Sequence, residues 1–509
     1  MTTDQPSDDR LPVIVGVGEI VDRPKEISAG LEPLTLLEDA LKRAEADSGG
    51  QLLGEIESLD IVNFLSWRYR DPAEQLSNRL GIKPKHAYYG PVGGESPIRY
   101  LHEAAKRIAR GECQIAAVCG AEAQSTATKA ERARIELPWT PFAHDVPEPN
   151  RGAAFQKEIA VKLGVFRPVT VYPFYEAATS AHWGQTPREA MAESGQLWST
   201  YSNVAAQNPN AWLKRQFTPE EITTPTPDNR LIAWPYTKLM VANPTVNMGG
   251  AVLMTSLARA RAAGIAEDRL IHVLGGASAE EPRDYLIRDQ FYESHAQNAV
   301  LKSMMELAGG GGSAFDAIEL YSCFPCVPKM ARRTLGLGAD VQPTVTGGLT
   351  FFGAPLNTYM THAACAMVRK LRNGARLDGK GLGLLYGQGG FVTKHHALVL
   401  SRPAPREVLE QETSVQAEAD RHRGAAPGFV TEADGKGLVE SFTVIYGRNG
   451  DVEHGVVMVR TAANARALAR VPANDGATLS HLQNMERTPV GSSGEFLTAD
   501  DGILEWRAG

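Results

Sequence analysis

The chain is poor in cysteine. It has five in 509 residues: Cys113, Cys119, Cys323, Cys326 and Cys365. A sparse, odd set in a long chain excludes a disulfide scaffold and fits a reducing compartment. Basic charge is short as well. Lys and Arg total 52 against 59 Asp and Glu, a formal net charge of −7, which argues against a surface built for nucleic acid. No apolar run approaches the ~18 residues that span a bilayer. The opening MTTDQPSDDR has no basic stretch followed by an apolar one, so no signal peptide is expected. Walker-type phosphate loops, HExxH and GxSxG are all missing. Cys323-Phe324-Pro325-Cys326 lacks a second Cys or His pair, so no metal is expected. A soluble cytoplasmic protein without nucleic-acid or membrane-spanning partners is the expectation. What is present is an ordinary globular composition, 43% hydrophobic and 22% charged, with length for roughly three domains.

The patterning points to α/β units around a largely parallel sheet. Leu11–Gly18, Leu59–Leu65 and Cys113–Gly120 read as buried strands, and Leu34–Ala46 and Pro97–Arg110 as helices. From about Ala123 to Pro244 the texture changes. Pro, Thr, Asn and five of the seven tryptophans gather there, without a clear strand ladder. A cap over a site and a purely structural insertion both fit. Thr186 is placed to cap a helix starting at Pro187. Strands resume at Val246–Ser256, Ile271–Gly275, Phe315–Tyr321, Leu382–Gly390 and Ala397–Ser401. A repeat emerges: SPIRYLHEAAKRIARG (96–111) and APLNTYMTHAACAMVRKLRNG (354–374) each follow a Gly-rich turn and precede a strand ending in glycine. After Arg402-Pro403-Ala404-Pro405, Val439–Tyr446 and Gly455–Arg460 flank an Asn449-Gly450 hairpin signal. Arg466–Val471 and Gly494–Leu497 add two more strands of a small β-domain.

Three segments have chemistry to offer. Gly93-Gly94-Glu95-Ser96-Pro97 turns tightly into a helix whose free N–H groups suit an anion or a carbonyl oxygen. Tyr321-Ser322-Cys323-Phe324 follows a strand end, where ligands sit in α/β sheets. Gly347-Gly348, Gly353-Ala354-Pro355 and Tyr386-Gly387-Gln388-Gly389-Gly390 permit close backbone approach. Each alone also fits tight packing.

In this order the segments resemble the thiolase superfamily, and within it the thiolase-like relatives of sterol-carrier-protein-type thiolases. The resemblance runs from Leu11 to Ser401, and the tail resembles the extra OB-like domain of thiolase-like proteins. It implies a duplicated thiolase fold: two βαβαβ-type halves in five αβαβα layers, a loop-rich insertion and a C-terminal β-barrel-like domain. The implied division is 1–122 with 245–275 as the first half, 123–244 as the insertion, 276–402 as the second half and 406–509 as the OB-like domain.

The four catalytic loops of the family are matched with substitutions. Gly94 falls at the nucleophilic cysteine, Tyr321 at the polar residue of the Asn-Glu-Ala-Phe loop, Ala354 at the histidine of Gly-His-Pro, and Tyr386 at the second cysteine. Thiolysis needs a thiolate and a base to make it, so ping-pong chemistry is not expected. The resemblance implies a coenzyme A thioester as ligand. It assigns catalytic roles to Tyr321, Tyr386, Ser322 and Cys323, and ligand-binding roles to Gly94, Ser96, Gly348, Gly353 and Gly389. Retro-aldol cleavage through the two tyrosines is the favoured reading. A degenerate acyltransferase using Cys323 and a non-catalytic acyl-CoA-binding protein are the alternatives. Homodimer and monomer both stay open.

Overall fold

The computed structural model describes residues 7–374 and 379–509. Part of the N-terminal segment read for a signal peptide, residues 1–6, lies outside them. Sixteen strands are found among the described residues. The duplicated region holds β1 (Pro12–Val21), β2 (Ser58–Ile61), β3 (His86–Tyr89) and β4 (Ile115–Ala123). The insertion holds β5 (Leu231–Ala233) and β6 (Tyr236–Thr237). The duplicated region resumes with β7 (Asn247–Ser256), β8 (Ile271–Glu280), β9 (Ala317–Leu320), β10 (Leu382–Gly389) and β11 (Lys394–Ser401). The tail holds β12 (Lys436–Tyr446), β13 (Val452–Thr461), β14 (Arg466–Pro472), β15 (Ser493–Thr498) and β16 (Leu504–Ala508).

The duplication is explicit in the topology. One sheet has the order β3-β2-β4-β7-β1-β8-β11-β10-β9. Reading inward from the edges, β2-β4-β7-β1 mirrors β9-β10-β11-β8. The halves meet through only two residue pairs, Val13–His272 and Ile14–Ile271, so they diverge and admit helices between them. Helices 96–110 and 359–372 fill that space, packing on each other and on strands of both halves. Helix 33–48 covers the outer face of the first half and helix 295–307 that of the second, which completes five layers. Apart from edge strand β3 the strands are largely buried on both faces. The sheet is mixed rather than largely parallel as expected: β2–β3, β2–β4 and β9–β10 are parallel, and the other pairings are antiparallel.

Helix 96–110 shows how the sequence fixes these pieces. Ile98, Leu101, Ala104, Ala105 and Ile108 recur at helical spacing and are fully buried. The helix ends at Gly111, which takes the left-handed conformation (φ +73°) that a side chain resists. It starts one residue earlier than the Pro97 expected from sequence. Ser96 is the first helical residue rather than a side-chain cap, and Glu95 precedes it without a capping bond. Helix 187–207 does begin with the expected Thr186 cap, completed by Glu189 as a reciprocal capping box.

The tail forms a closed five-strand barrel, β13-β14-β16-β15-β12 returning to β13. Sequence reasoning found four of its strands and missed β16. It also read no strand ladder in the insertion, yet β5 and β6 pair and continue the barrel sheet through Ala233 and Ile445. Three-residue and two-residue strands are too short to leave a period-2 pattern. Ser441 donates to the Phe174 carbonyl (2.6 Å), and buried Arg466 donates to the carbonyls of Leu286 and Arg288 (2.6 Å each). Barrel, insertion and second half are thus bonded together at named points.

Candidate functional site

The four motif loops converge where the two central helices begin. The Gly93 N–H donates to Asn357 Oδ1 (3.1 Å), and Asn357 Nδ2 donates to the Asn63 carbonyl (3.1 Å). This joins the loop before helix 96–110 to the Gly353–Thr358 loop before helix 359–372. The Tyr321 N–H donates to the Tyr386 carbonyl (3.0 Å), which sets the Tyr321–Phe324 loop beside the end of β10. Gly389 lies against the Glu95 carboxylate and the Gly94 nitrogen.

Gly94 is the centre of this arrangement. A methyl group added there would strike the Tyr321 hydroxyl and the Gln388 carbonyl. The Tyr321 phenol therefore occupies the space a side chain at position 94 would need. Burial pushes that phenol well above its ordinary range, so it is held protonated. Its hydroxyl has no hydrogen-bond partner among the described residues. The ring stands edge-on to Tyr359 at 5.9 Å, and Tyr359 in turn donates to Glu319 (2.6 Å). Beside Gly94, buried Glu95 pairs with Lys394 (3.0 Å), and Lys394 also donates to the Val92 carbonyl (2.6 Å). The second oxygen of Glu95 is buried without a partner. A protonated phenol, a carboxylate with a free oxygen and an ammonium group thus share one small space. They can donate, accept and balance a proton, and they include no nucleophilic sulfur.

Of the residues expected from sequence, Gly94, Ser96, Gly389 and Tyr321 come together here. Tyr386 does not. Along β10 the side chains alternate, and it is Gly387 that faces the central helices, with Ile98, Glu95 and Met360 within 3.2 Å of where its side chain would start. Tyr386 points to the opposite face and is fully buried. Its hydroxyl is bonded to His395 Nδ1 (2.7 Å) and Gln297 Nε2 (2.9 Å). Gly387, one residue on from the sequence match, is thus the β10 residue that faces the Gly94 loop. Cys323 also lies on that outer face. Its sulfur accepts from Gln388 Nε2 (3.2 Å), which also donates to Tyr172 (2.7 Å), and burial pushes the thiol up to about 12. A thiol so placed is inert at neutral pH. Ser322 accepts from the Leu349 N–H (3.3 Å) beside Gly348, a packing contact within the loop. Gly353 lies against Val246, Met248 and Trp212.

Glu95, Lys394 and Tyr172 were not among the expected residues. Glu95 stood inside the quoted motif. Lys394 opens an otherwise apolar and histidine-bearing strand, a cation that a buried strand does not hold without a partner. Tyr172 comes from the insertion and stacks on Phe324 at 4.4 Å, which no local pattern reveals. Two non-glycine residues next to the site adopt left-handed backbone, Leu356 (φ +46°) and Val392 (φ +59°). For a β-branched residue this is costly, and such strain gathers at functional sites. Among the described residues no group of three or more His, Cys, Asp or Glu is placed to hold a metal ion.

Comparison with known proteins bears on both parts of the chain. Residues 415–500 match the family described as the thiolase-like protein type 1 additional C-terminal domain. A monomeric SCP2-thiolase-like protein type 1 from Mycobacterium smegmatis is similar across the whole chain. It has 25% identity, covers 99% of this chain and 100% of its own, and has a TM-score of 0.81. An Ltp2-ChsH2(DUF35) aldolase shares the fold at 17% identity, over 79% of this chain and 99% of its own (TM-score 0.60). Human mitochondrial 3-ketoacyl-CoA thiolase in complex with CoA does so at 14% identity, over 79% and 100% (TM-score 0.57). No curated relative matches the sequence.

Proposed function

We propose that this chain is a thiolase-superfamily protein with an extra C-terminal domain, which acts on acyl-CoA thioesters by carbon–carbon bond chemistry without an acyl-enzyme. The observation that carries the reading is the Tyr321 hydroxyl standing where a side chain on Gly94 would be. A protonated donor replaces a nucleophile. The reaction that suits it is retro-aldol cleavage of a 3-hydroxyacyl thioester. The free oxygen of Glu95 takes the substrate's hydroxyl proton, the Cα–Cβ bond breaks, and its electrons form the thioester enolate. Tyr321 then protonates the enolate carbon, and the proton held by Glu95 returns to the phenolate. The products are a carbonyl compound and a shortened thioester. Lys394 offsets the negative charge that moves between these groups.

Tyr386 has no part in that step, because its hydroxyl is bonded on the far side of the sheet. An acyl-enzyme on Cys323 is disfavoured by its buried thiol. Strain at Leu356 and Val392 favours a maintained site over a decayed one. A second reading, thioester binding without turnover, draws on the Glu95–Lys394 pair, which already occupies one oxygen of Glu95. A soluble, cytoplasmic monomer accompanies the proposal. The Mycobacterium smegmatis neighbour is described as monomeric, and no helix among the described residues is long and apolar enough to cross a membrane.

The test is product analysis by mass spectrometry, with 3-hydroxyacyl-CoA thioesters offered alone and 3-ketoacyl-CoA offered with free CoA. An aldehyde or ketone with a shortened acyl-CoA, formed without free CoA, is the expected result. CoA-dependent shortening of the keto substrate would overturn it, and tight binding without product would favour the second reading.

A further inference from the structure

We infer that Arg423, carried by the segment after β11, is a positioning residue for the Gly387–Val392 turn of the site and acts through Glu281 and Arg288. The inference rests on the site described above and names a part of it that comes from outside the duplicated region.

The segment lies along β8 by specific bonds. Ser278 and Thr413 pair (2.9 Å), Val415 donates back to the Ser278 carbonyl (3.0 Å), and Gln416 Nε2 donates to the Glu280 carbonyl (3.0 Å). Past helix 416–422, the Gly424 N–H reaches Asp289 Oδ2 (2.9 Å). Arg423 is thereby aimed inward. Its Nε donates to Glu281 Oε2 (3.1 Å) and its Nη2 to the Glu280 carbonyl (2.8 Å).

Glu281 is almost completely buried and connects to the turn in two ways. Its backbone N–H donates to the Thr393 carbonyl (2.7 Å). Its Oε1 accepts from Ser294 (2.8 Å) and the Ala296 N–H (2.9 Å) and lies 3.6 Å from Arg288. Fully buried Arg288 donates to the Val392 carbonyl (2.7 Å), the same Val392 held at φ +59°. Ser294 continues to His395 (3.2 Å), and His395 to Tyr386. Burial pushes the Glu281 carboxyl up, and Arg288 with the hydrogen bonds from Ala296 and Ser294 overrides it and holds the group at about 2.

Without Arg423, Glu281 Oε2 loses its only close partner among the described residues, in a medium that penalises a bare carboxylate. Arg288 is then drawn toward Glu281 and away from Val392. The left-handed turn, which Tyr172, Tyr175 and Gln388 also hold, loses one of its bonds, and the placement of Gly389 against Glu95 loosens. An Arg421→Ala variant is the control. Arg421 lies on helix 416–422, two residues before Arg423, and among the described residues it pairs with half-buried Glu418 alone.

The test is amide hydrogen exchange on the full chain, read on peptides covering residues 387–394. In Arg423→Ala, exchange there rises by roughly tenfold, while peptides of β13 and the Arg421→Ala protein match wild type. Unchanged exchange at 387–394 would overturn the inference. For Tyr321-dependent product formation, Arg423→Ala lowers kcat by about 10²-fold with KM held, the mark of misplaced groups rather than lost binding. Equal kcat would also overturn it. Should wild type form no product from any thioester, the proposed reaction fails, and exchange still decides the coupling.

Discussion

Gly94 sets what single residues can do at this site. Restoring a cysteine there does not restore a thiolase. The added side chain meets the Tyr321 hydroxyl and the Gln388 carbonyl, and Ala354 supplies no base. Gly94→Cys is therefore expected to destabilise by about 1–3 kcal/mol through overpacking, seen as a lower denaturation midpoint. It is also expected to show no acyl adduct by intact mass after exposure to an acyl-CoA. That the loops at 94, 321 and 354 belong together was legible from motif order, because each has fixed neighbours such as Phe324 and Pro355, and the structure brings Gly94 and Tyr321 into contact. Which residue of β10 faces the site was not. Gly387-Gln388-Gly389-Gly390 is a run of small and polar residues in which a one-residue slip changes nothing locally, yet it turns the side chain to the other face of the sheet. Only the three-dimensional alternation puts Gly387 inward and Tyr386 outward.

At the scale of elements, the duplication was readable because helices 96–110 and 359–372 carry strong apolar periodicity and end before glycine-rich strands. The insertion was less readable. Its helices hold polar groups that find partners far away in sequence. Lys329 of helix 326–335 is fully buried and pairs with Glu176 of helix 168–182, while also donating to Ser194 (2.9 Å) of helix 187–207. Tyr236 donates to the same carboxylate (2.8 Å). This polar knot fixes the insertion on the second half and brings Tyr172 over Phe324. Lys329→Met leaves Glu176 charged and unpaired in the interior, at an expected cost of about 3–5 kcal/mol. Adding Glu176→Leu to that variant recovers most of the loss in urea denaturation, since a buried pair replaced by apolar groups of similar size is close to neutral. Loss of the same size in both variants would mean the knot stabilises by its charge.

The whole molecule carries an unusual set of buried imidazoles, and they predict its response to acid. Burial lowers His102 and His362 to about 3, His272 and His395 to about 4, and His396 well below its ordinary range. The unfolded chain binds these protons near pH ~6.5 and the folded protein does not. Their stabilisation is therefore full above that pH and is lost as pH falls toward 4. Glu122 and Glu319 act in the opposite sense. Burial raises each to about 7, so their contribution is full below ~4.3 and is lost as pH rises through 7. Five imidazoles outnumber two carboxyls, so the denaturation midpoint is expected to fall between pH 7 and pH 5. A flat profile over that window would mean these histidines are not neutral in the folded state.

The claim that joins these scales is that Tyr321 has taken over the reacting position. It is tested most directly by comparing wild type with Tyr321→Phe on 3-hydroxyacyl-CoA thioesters, following product by mass spectrometry and thioester binding by calorimetry. The account predicts that the phenylalanine variant binds the thioester as wild type does and forms product at least 10²-fold more slowly. Product formation at the wild-type rate in Tyr321→Phe would contradict it.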